Sequence, residues 1–213
     1  MANRDGKRKF RSEIAVCRKL SLGYYLIATD AKETECNFLT GLRDSIPETL
    51  RKNISIKILR NVDASKIVST VIEEASLNPQ YSECWIVMDR DKVPNFDELM
   101  FNAEKEKINV GWSNPCIEIM FLAYWGSMPN FQSSVQCVQA FKKEYRNKTG
   151  LEYEKSQKDI YSKLHVTGDE TMALKIADTR YKNSISIYRK PSEMLSTTKL
   201  YQLIQEIRSK IDR

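Results

Sequence analysis

Paired acidic side chains follow an apolar run near the middle of the sequence, where they could bind a divalent metal ion. Asp89 and Asp91 come directly after the apolar residues 84–88. Two residues apart on an extended segment, their side chains point the same way, so both can converge on one ion. Carboxylate oxygens are the ligands that Mg²⁺ and Mn²⁺ prefer, and Mg²⁺ needs only one or two of them beside water and substrate phosphate. The spacing therefore predicts a metal site.

A second acidic group follows the first apolar run, residues 24–29, and consists of Asp30, Glu33 and Glu35. An acid in this position can also cap the next helix, and acids in a first helical turn interact favourably with the helix dipole. The dipole interpretation is preferred for Glu33. Capping and metal binding both stay open for Asp30, and Glu35 is a candidate site residue.

A third polar group contains Ser113 and Asn114, with Glu118 shortly after them in the apolar run 117–125. An ionised side chain on a buried helix face needs a cation or hydrogen-bond donors beside it. Glu118 is therefore a candidate site residue as well.

These acidic groups can meet only if the fold brings the ends of the apolar runs together. Runs typical of strands alternate with stretches of helical periodicity, which predicts an α/β fold with a mostly parallel sheet covered by helices on both faces. In such a sheet, ligands bind beyond the carboxyl ends of the strands. The predicted strands are residues 24–29, 54–59, 83–88 and 108–112, and the predicted helices include 64–77 and 95–107.

The sequence after Gly126 has helical patterns only, apart from residues 184–188, which also fit a short strand. Three parts are predicted: a basic N-terminal arm (1–20), an α/β core (21–126) and a helical C-terminal extension packed on it (127–213). The helices of the extension are predicted at residues 135–146, 157–164, 170–181 and 198–211.

Composition indicates a globular chain of one domain with a modest appendage. The 213 residues are 41% hydrophobic and 29% charged, which is too apolar for a disordered protein. No apolar run approaches the roughly 20 residues that span a bilayer, and no apolar signal segment follows the start, so a cytoplasmic protein is expected. The five cysteines are scattered and never in a C-x-x-C spacing, which predicts buried thiols rather than disulfides or a zinc site.

Lys and Arg outnumber Asp and Glu by 34 to 28, and the excess is concentrated at the start. Such an arm either binds an anionic partner or only aids solubility, and both interpretations stay open. His165 is the single histidine and has no companion motif, so it is not predicted to act as a base. Walker, G-x-S-x-G and H-E-x-x-H sequences are absent, which argues against common ATPases, hydrolases and zinc proteases. The aromatic residues of the predicted strands are expected in the core; they are Tyr24, Tyr25, Trp85 and Trp112.

Residues 28–42, 87–99 and 113–122, with a weaker match at 196–207, resemble the RloB family of bacterial anti-phage proteins, whose core has a Toprim-like, Rossmann-like fold. Family members usually show C-E-G-x-x-T-E after the first strand. This chain has Asp30 and Ala31 in place of the Glu and Gly, so the carboxylate is drawn back by about 1.5 Å, and misplacement of that order can cost about 10²-fold in rate. The later motifs are unchanged at Asp89, Asp91, Asn114, Pro115 and Glu118.

The resemblance implies a metal-dependent nuclease of an abortive-infection system, with RNA, tRNA above all, ahead of DNA as substrate and an ATPase as partner. Asp89 and Asp91 would hold Mg²⁺ or Mn²⁺, and Asp30 would complete the site or position the attacking water. Glu118 would support these ligands or bind a second ion. Whether the chain forms homo-oligomers stays open. Contacts to nucleic acid are expected from Asn114 and from Lys155 or Lys158.

Two other functions stay open. The altered first motif, Asp30-Ala31, could have abolished catalysis and left a binding or regulatory subunit of a defence complex. Alternatively, the acidic group could bind a phosphorylated small molecule or nucleotide as a signal, with the metal as a bridge.

Overall fold

The computed structural model describes residues 22–91 and 93–211. The predicted basic arm, residues 1–20, lies outside the described residues, and so does Cys17. The strands are β1 (Gly23–Thr29), β2 (Ile54–Leu59), β3 (Glu83–Asp89), β4 (Asn109–Asn114) and β5 (Thr197–Thr198). The α-helices are α1 (Thr34–Asp44), α2 (Ile67–Leu77), α3 (Phe96–Lys105), α4 (Glu118–Ala123), α5 (Ser134–Thr149), α6 (Ile160–Thr167), α7 (Glu170–Ile187) and α8 (Leu200–Ile211).

The five strands form one sheet in the order β2-β1-β3-β4-β5. β1 to β4 run parallel, and β5 pairs antiparallel with β4 at the edge. Parallel neighbours need a crossover connection, and the helices between the strands provide it. The predicted α/β, Rossmann-like fold with a mostly parallel sheet is confirmed.

Side chains of the buried strands alternate between two hydrophobic clusters, as the period of two requires. On one face, Tyr25 and Ile27 of β1 join the cluster that contains the buried side of α1. On the other face, Leu26 and Ala28 join the cluster built with α2 and α3. The central strands are therefore apolar on both sides, which explains their continuous apolar sequences.

The chain after residue 126 belongs to the same core as the strands. Phe141 of α5, Leu164 of α6 and Leu203 of α8 are buried in the cluster that covers the α1 face of the sheet. Residues 184–187 continue α7, which decides between the two structures that the sequence left open there. One detail differs from the prediction: the two-residue strand β5 lies at the start of the predicted helix 198–211. A two-residue strand is too short to leave a periodic pattern.

The buried aromatic and cysteine residues follow the prediction in the described part of the chain. Tyr25, Trp85 and Trp112 are at most 5% exposed, while Tyr24 is half-buried. Of the four described cysteines, all free, Cys84 is partly buried and the others are buried. None of the described helices combines the length and apolar character needed to cross a lipid bilayer.

Candidate active site

The strand register brings the ends of three strands to one edge of the sheet. Thr29, the last residue of β1, is level with Val87, and Asp89, the last residue of β3, is level with Ser113 of β4. Asp89 continues the alternation of Trp85 and Val87, so it points to the face covered by α1 and α4. A carboxylate at the end of a central strand therefore meets the first turns of two helices.

Five predicted acids influence one another at this edge. Burial, followed by the charges of Glu35, Glu118, Asp91 and Asp30, raises the pKa of Asp89 well above its usual range. Burial also raises the pKa of Glu35 to about 7, with repulsion from Glu118 and Asp30, and hydrogen bonds to its own backbone and to Asp89 oppose the increase only in part. Like charges held this close favour the protonated form, or a cation between them.

Two oxygens of this acidic cluster are buried without a hydrogen-bond partner, Asp89 Oδ1 and Glu118 Oε2. Glu118 is 0% exposed, so water cannot solvate it freely. Burial of an unpaired charged oxygen is costly, and a hard divalent cation accepts only oxygen ligands of this kind. The donor set therefore fits Mg²⁺ or Mn²⁺ in its chemistry.

The carboxylates are not yet arranged as a ligand cage. Within residues 22–91 and 93–211, no three His, Cys, Asp or Glu side chains form a group that could hold a metal ion. Binding an ion would therefore require the acidic side chains to move toward one another. The two unpaired oxygens, on Asp89 and Glu118, would break no hydrogen bond of their own in such a movement.

The segment between α5 and α6 places a cation beside the acids. Thr34 Oγ1 donates to the carbonyl of Lys155 over 3.3 Å, and Asn37 Nδ2 donates to that of Ser156 over 3.1 Å, so the start of α1 holds this segment. Partial burial would lower the pKa of Lys155, but the nearby carboxylates, Glu118 first, outweigh burial and raise it. Although neighbouring groups desolvate part of it, Lys155 remains accessible to solvent, and it makes none of the ion pairs found among the described residues.

Tyr153 is a member of the site that the sequence did not indicate. Its hydroxyl donates to Glu118 Oε1 over 3.0 Å, and the residue is 2% exposed. Burial, and then the charge of Glu118, raise the pKa of the phenol. Tyr153 lies 35 residues after Glu118 in a segment without regular secondary structure, so no periodic pattern or motif could have joined the two.

The remaining acidic candidates occupy the loops that follow the strands. β3 ends at Asp89 and the chain then turns, so Asp91 is not on the extended segment that the sequence argument assumed. Asp30 lies in a bend after β1, and Glu33 rather than Asp30 stands at the N-cap position of α1, without a side-chain hydrogen bond. The N-cap position of α1 is therefore occupied by Glu33 and not by Asp30.

Asn114 supports the edge of the sheet. It is 1% exposed, and its Nδ2 donates to the carbonyls of Pro191 and Ser192, each over 3.1 Å. Beside it, the hydroxyls of Ser113 and Thr198 are 2.9 Å apart. The predicted contact between Asn114 and nucleic acid stays a prediction, and it would require the buried amide, whose Oδ1 has no partner, to become accessible.

A separate polar cluster lies toward the C-terminal end of α1, in a cleft of about 710 Å³ that Lys158 also lines. Glu170, at the start of α7, accepts hydrogen bonds there from Arg208 Nε over 2.6 Å and from the hydroxyls of Tyr124 and Tyr161. His165 Nε2 lies 2.9 Å from the same carboxylate, so the single histidine has a partner that the sequence did not reveal. Burial alone would raise the pKa of Glu170, but its hydrogen bonds with His165 and Arg208 outweigh burial and lower it to about 2.

Comparison with known proteins gives one match. A family model described as RloB-like protein matches residues 25–207. No curated protein and no solved structure gives a significant match. The matched range begins in β1 and ends in α8, so it includes both the acidic cluster and the segment of Tyr153 and Lys155. The chain therefore belongs to the RloB-like protein family.

Proposed function

We propose that this chain is a metal-dependent nuclease with a Toprim-like core that cleaves RNA, with tRNA favoured over DNA, as the effector of an anti-phage system. One observation carries the proposal most directly: Asp89 lies half-buried at the carboxyl end of a central parallel strand among like charges, and its buried Oδ1 lacks a hydrogen-bond partner. Such an arrangement is costly for the fold alone, and costly polar arrangements concentrate at functional sites. The resemblance to RloB proteins supports the choice of reaction, an ATPase partner and a role in abortive infection.

In this mechanism Asp89, with Glu118 and Asp30, would hold Mg²⁺ or Mn²⁺. The bound metal would stabilise the negative charge that develops on the phosphate during phosphodiester hydrolysis. Asp91, in the turn after β3, adds negative charge beside Asp89 and would be a further ligand. Glu35, in the first turn of α1, would accept a proton from the attacking water. Lys155, which lies near the same acids, would bind the scissile phosphate as a flexible point charge.

A second function has its own support. The first motif departs from the family pattern at Asp30-Ala31, and no three described acidic, histidine or cysteine side chains form a metal-binding group. A binding or regulatory subunit of a defence complex, without catalysis, is therefore the alternative. It would keep nucleic acid or partner binding when Asp89 is replaced.

A cleavage assay on purified protein tests the proposal. Wild-type protein and the Asp89→Ala variant are incubated with total RNA, tRNA, plasmid and single-stranded DNA, with EDTA, Mg²⁺ or Mn²⁺. We expect products that depend on the metal, appear first with tRNA and are absent for the variant. Cleavage that persists in EDTA or in the variant would contradict the metal mechanism. A complete lack of cleavage, also with an added ATPase partner, would favour the binding subunit.

Lys155 and Lys158 provide a matched pair for the phosphate contact. We expect Lys155→Ala to raise the KM for RNA about 10-fold, since a charge-assisted hydrogen bond contributes about 1.5–3 kcal/mol. Lys158→Ala should change KM by less than about 2-fold, because Lys158 lines the separate cleft with Glu170. Steady-state kinetics at two salt concentrations measure both effects. Equal effects of the two substitutions would show that neither lysine is specific to the acidic site.

A further inference from the structure

The hydroxyl of Tyr153 is the one hydrogen-bond partner that the structure shows for the carboxylate of Glu118 within the described chain. It occupies Oε1 and leaves Oε2 buried and unpaired. A phenol is protonated at neutral pH, since its ordinary pKa is about 10, so it can only donate to an ionised carboxylate. The hydrogen bond therefore holds Glu118 in one orientation with one free oxygen.

The surroundings of Tyr153 make this orientation rigid. The ring packs against Phe141 and Tyr145 of α5, with ring centroids 4.7 and 5.7 Å away. Gln157, four residues later, donates to the hydroxyl of Tyr145, and Thr34 binds the carbonyl of Lys155. The chain that follows Tyr153 is thus held against α1 by the Lys155 carbonyl and against α5 by the Gln157 side chain, which limits the movement of the phenol.

We propose that Tyr153 is a positioning residue that holds the carboxylate of Glu118 through Oε1, so that Oε2 is directed to a divalent cation shared with Asp89. The inference rests on the proposed metal site but adds a residue from a different part of the chain. A hydrogen bond to the second oxygen of a ligating carboxylate orients the ligand, and loss of such a partner typically costs about 10–100-fold in metal affinity. Tyr153 would thereby join the α5–α6 segment to the cation, beside Lys155.

Titration with Mn²⁺ alone tests this role without reference to cleavage. The Mn²⁺ affinity is measured by calorimetry for the wild type, Tyr153→Phe, Glu118→Gln and the control Tyr25→Phe. Tyr25 makes an equivalent bond, with its hydroxyl 3.0 Å from Glu206 Oε1, at the opposite end of the sheet. Thermal unfolding of each metal-free variant shows whether the fold is kept.

We expect Tyr153→Phe to weaken Mn²⁺ binding about 10-fold or more, Glu118→Gln to weaken it further, and Tyr25→Phe to leave it unchanged. A double variant, Tyr153→Phe with Glu118→Gln, should bind no more weakly than Glu118→Gln alone, because the hydroxyl acts through that carboxylate. Wild-type affinity in Tyr153→Phe would overturn the positioning role and leave the metal site intact. Absence of Mn²⁺ binding by the wild type would overturn both the positioning role and the metal-dependent function.

Discussion

The Asp89→Asn variant is expected to lose metal-dependent cleavage and, at the same time, to be more stable than the wild type in the absence of metal. The amide keeps the shape of the side chain but is a poor ligand for a hard cation. A metal ion supplies several kcal/mol of charge stabilisation in the transition state, so its loss should lower the rate at least about 10²-fold. Activity and stability should therefore change in opposite directions.

The gain in stability has a definite dependence on pH. Burial and the surrounding acids raise the pKa of Asp89 in the folded chain, so the folded state holds this proton more tightly than the unfolded state does. Ionised Asp89 therefore destabilises the wild type progressively as pH rises above the unfolded pKa of about 4. The variant lacks this penalty, and its NH₂ group can donate to a neighbouring carboxylate.

Denaturant unfolding in EDTA, at about pH 5 and about pH 8, measures the effect. The stability advantage of Asp89→Asn should be larger at the higher pH. Asp97→Asn is a suitable control, because both carboxylate oxygens of Asp97 already accept a hydrogen bond, one from the backbone and one from the hydroxyl of Ser192. A variant no more stable than the wild type at either pH would show that the neighbouring acids do not strain Asp89.

The Glu170→Gln variant is expected to lose about 3 kcal/mol of the free energy of unfolding at neutral pH. The pKa of the wild-type Glu170 carboxyl group falls from 4.5 to about 2 in the folded chain, and each unit of pKa corresponds to about 1.4 kcal/mol. The substitution also leaves the guanidinium of Arg208, which is 19% exposed in its side chain, without its charged partner. Because Glu170 joins α6, α7 and α8, the C-terminal helices should loosen first.

The pH dependence of this second effect has the opposite sign. A folded pKa below the unfolded value means that the ionised carboxylate stabilises the fold above about pH 4.5, and that this contribution disappears as pH falls toward about 2. Unfolding curves of the two proteins should therefore converge in acid. Glu152→Gln is the control: its ion pair with Arg146 is about 70% exposed on both sides and should contribute at most about 0.5 kcal/mol. A loss in Glu170→Gln no larger than in this control would contradict a structural role for the cluster.

Most of the strands and helices could be predicted because each has a local signal. The buried strands are continuous apolar runs, and the bounds of β2 match the prediction to the residue. The position of Asp89 at the end of β3 could be predicted as well, because it depends only on where the apolar run ends. Asp91 shows the limit of this reasoning, because an extended segment was assumed where the chain turns. Turn geometry depends on contacts such as that between Arg90 N and the carbonyl of Ser113, which belongs to another strand.

The other half of the candidate site depends on distant contacts that no local pattern records. The sequence named Lys155 only as one of two lysines, and it gave no indication of Tyr153. Both residues reach the acids because the start of α1 binds the segment before α6, more than 100 residues later in the chain. Conversely, the sequence named Asn114 as a nucleic-acid contact, which stays a prediction, but could not show that the NH₂ group of its amide donates to the carbonyls of residues 191 and 192.

The hydrogen bonds at the end of β4 imply an order in which parts of the sheet can form during synthesis. Asn114 finds its carbonyl partners 77 and 78 residues later, and Ser113 finds Thr198 85 residues later. During synthesis the four parallel strands, β1 to β4, are therefore available long before β5, which pairs with the edge of β4. Until Thr197 and Thr198 have left the ribosome, Ser113 and Asn114 lack their partners in β5. The edge of the sheet beside the acidic cluster is thus completed late in translation, after all five acids have been synthesised.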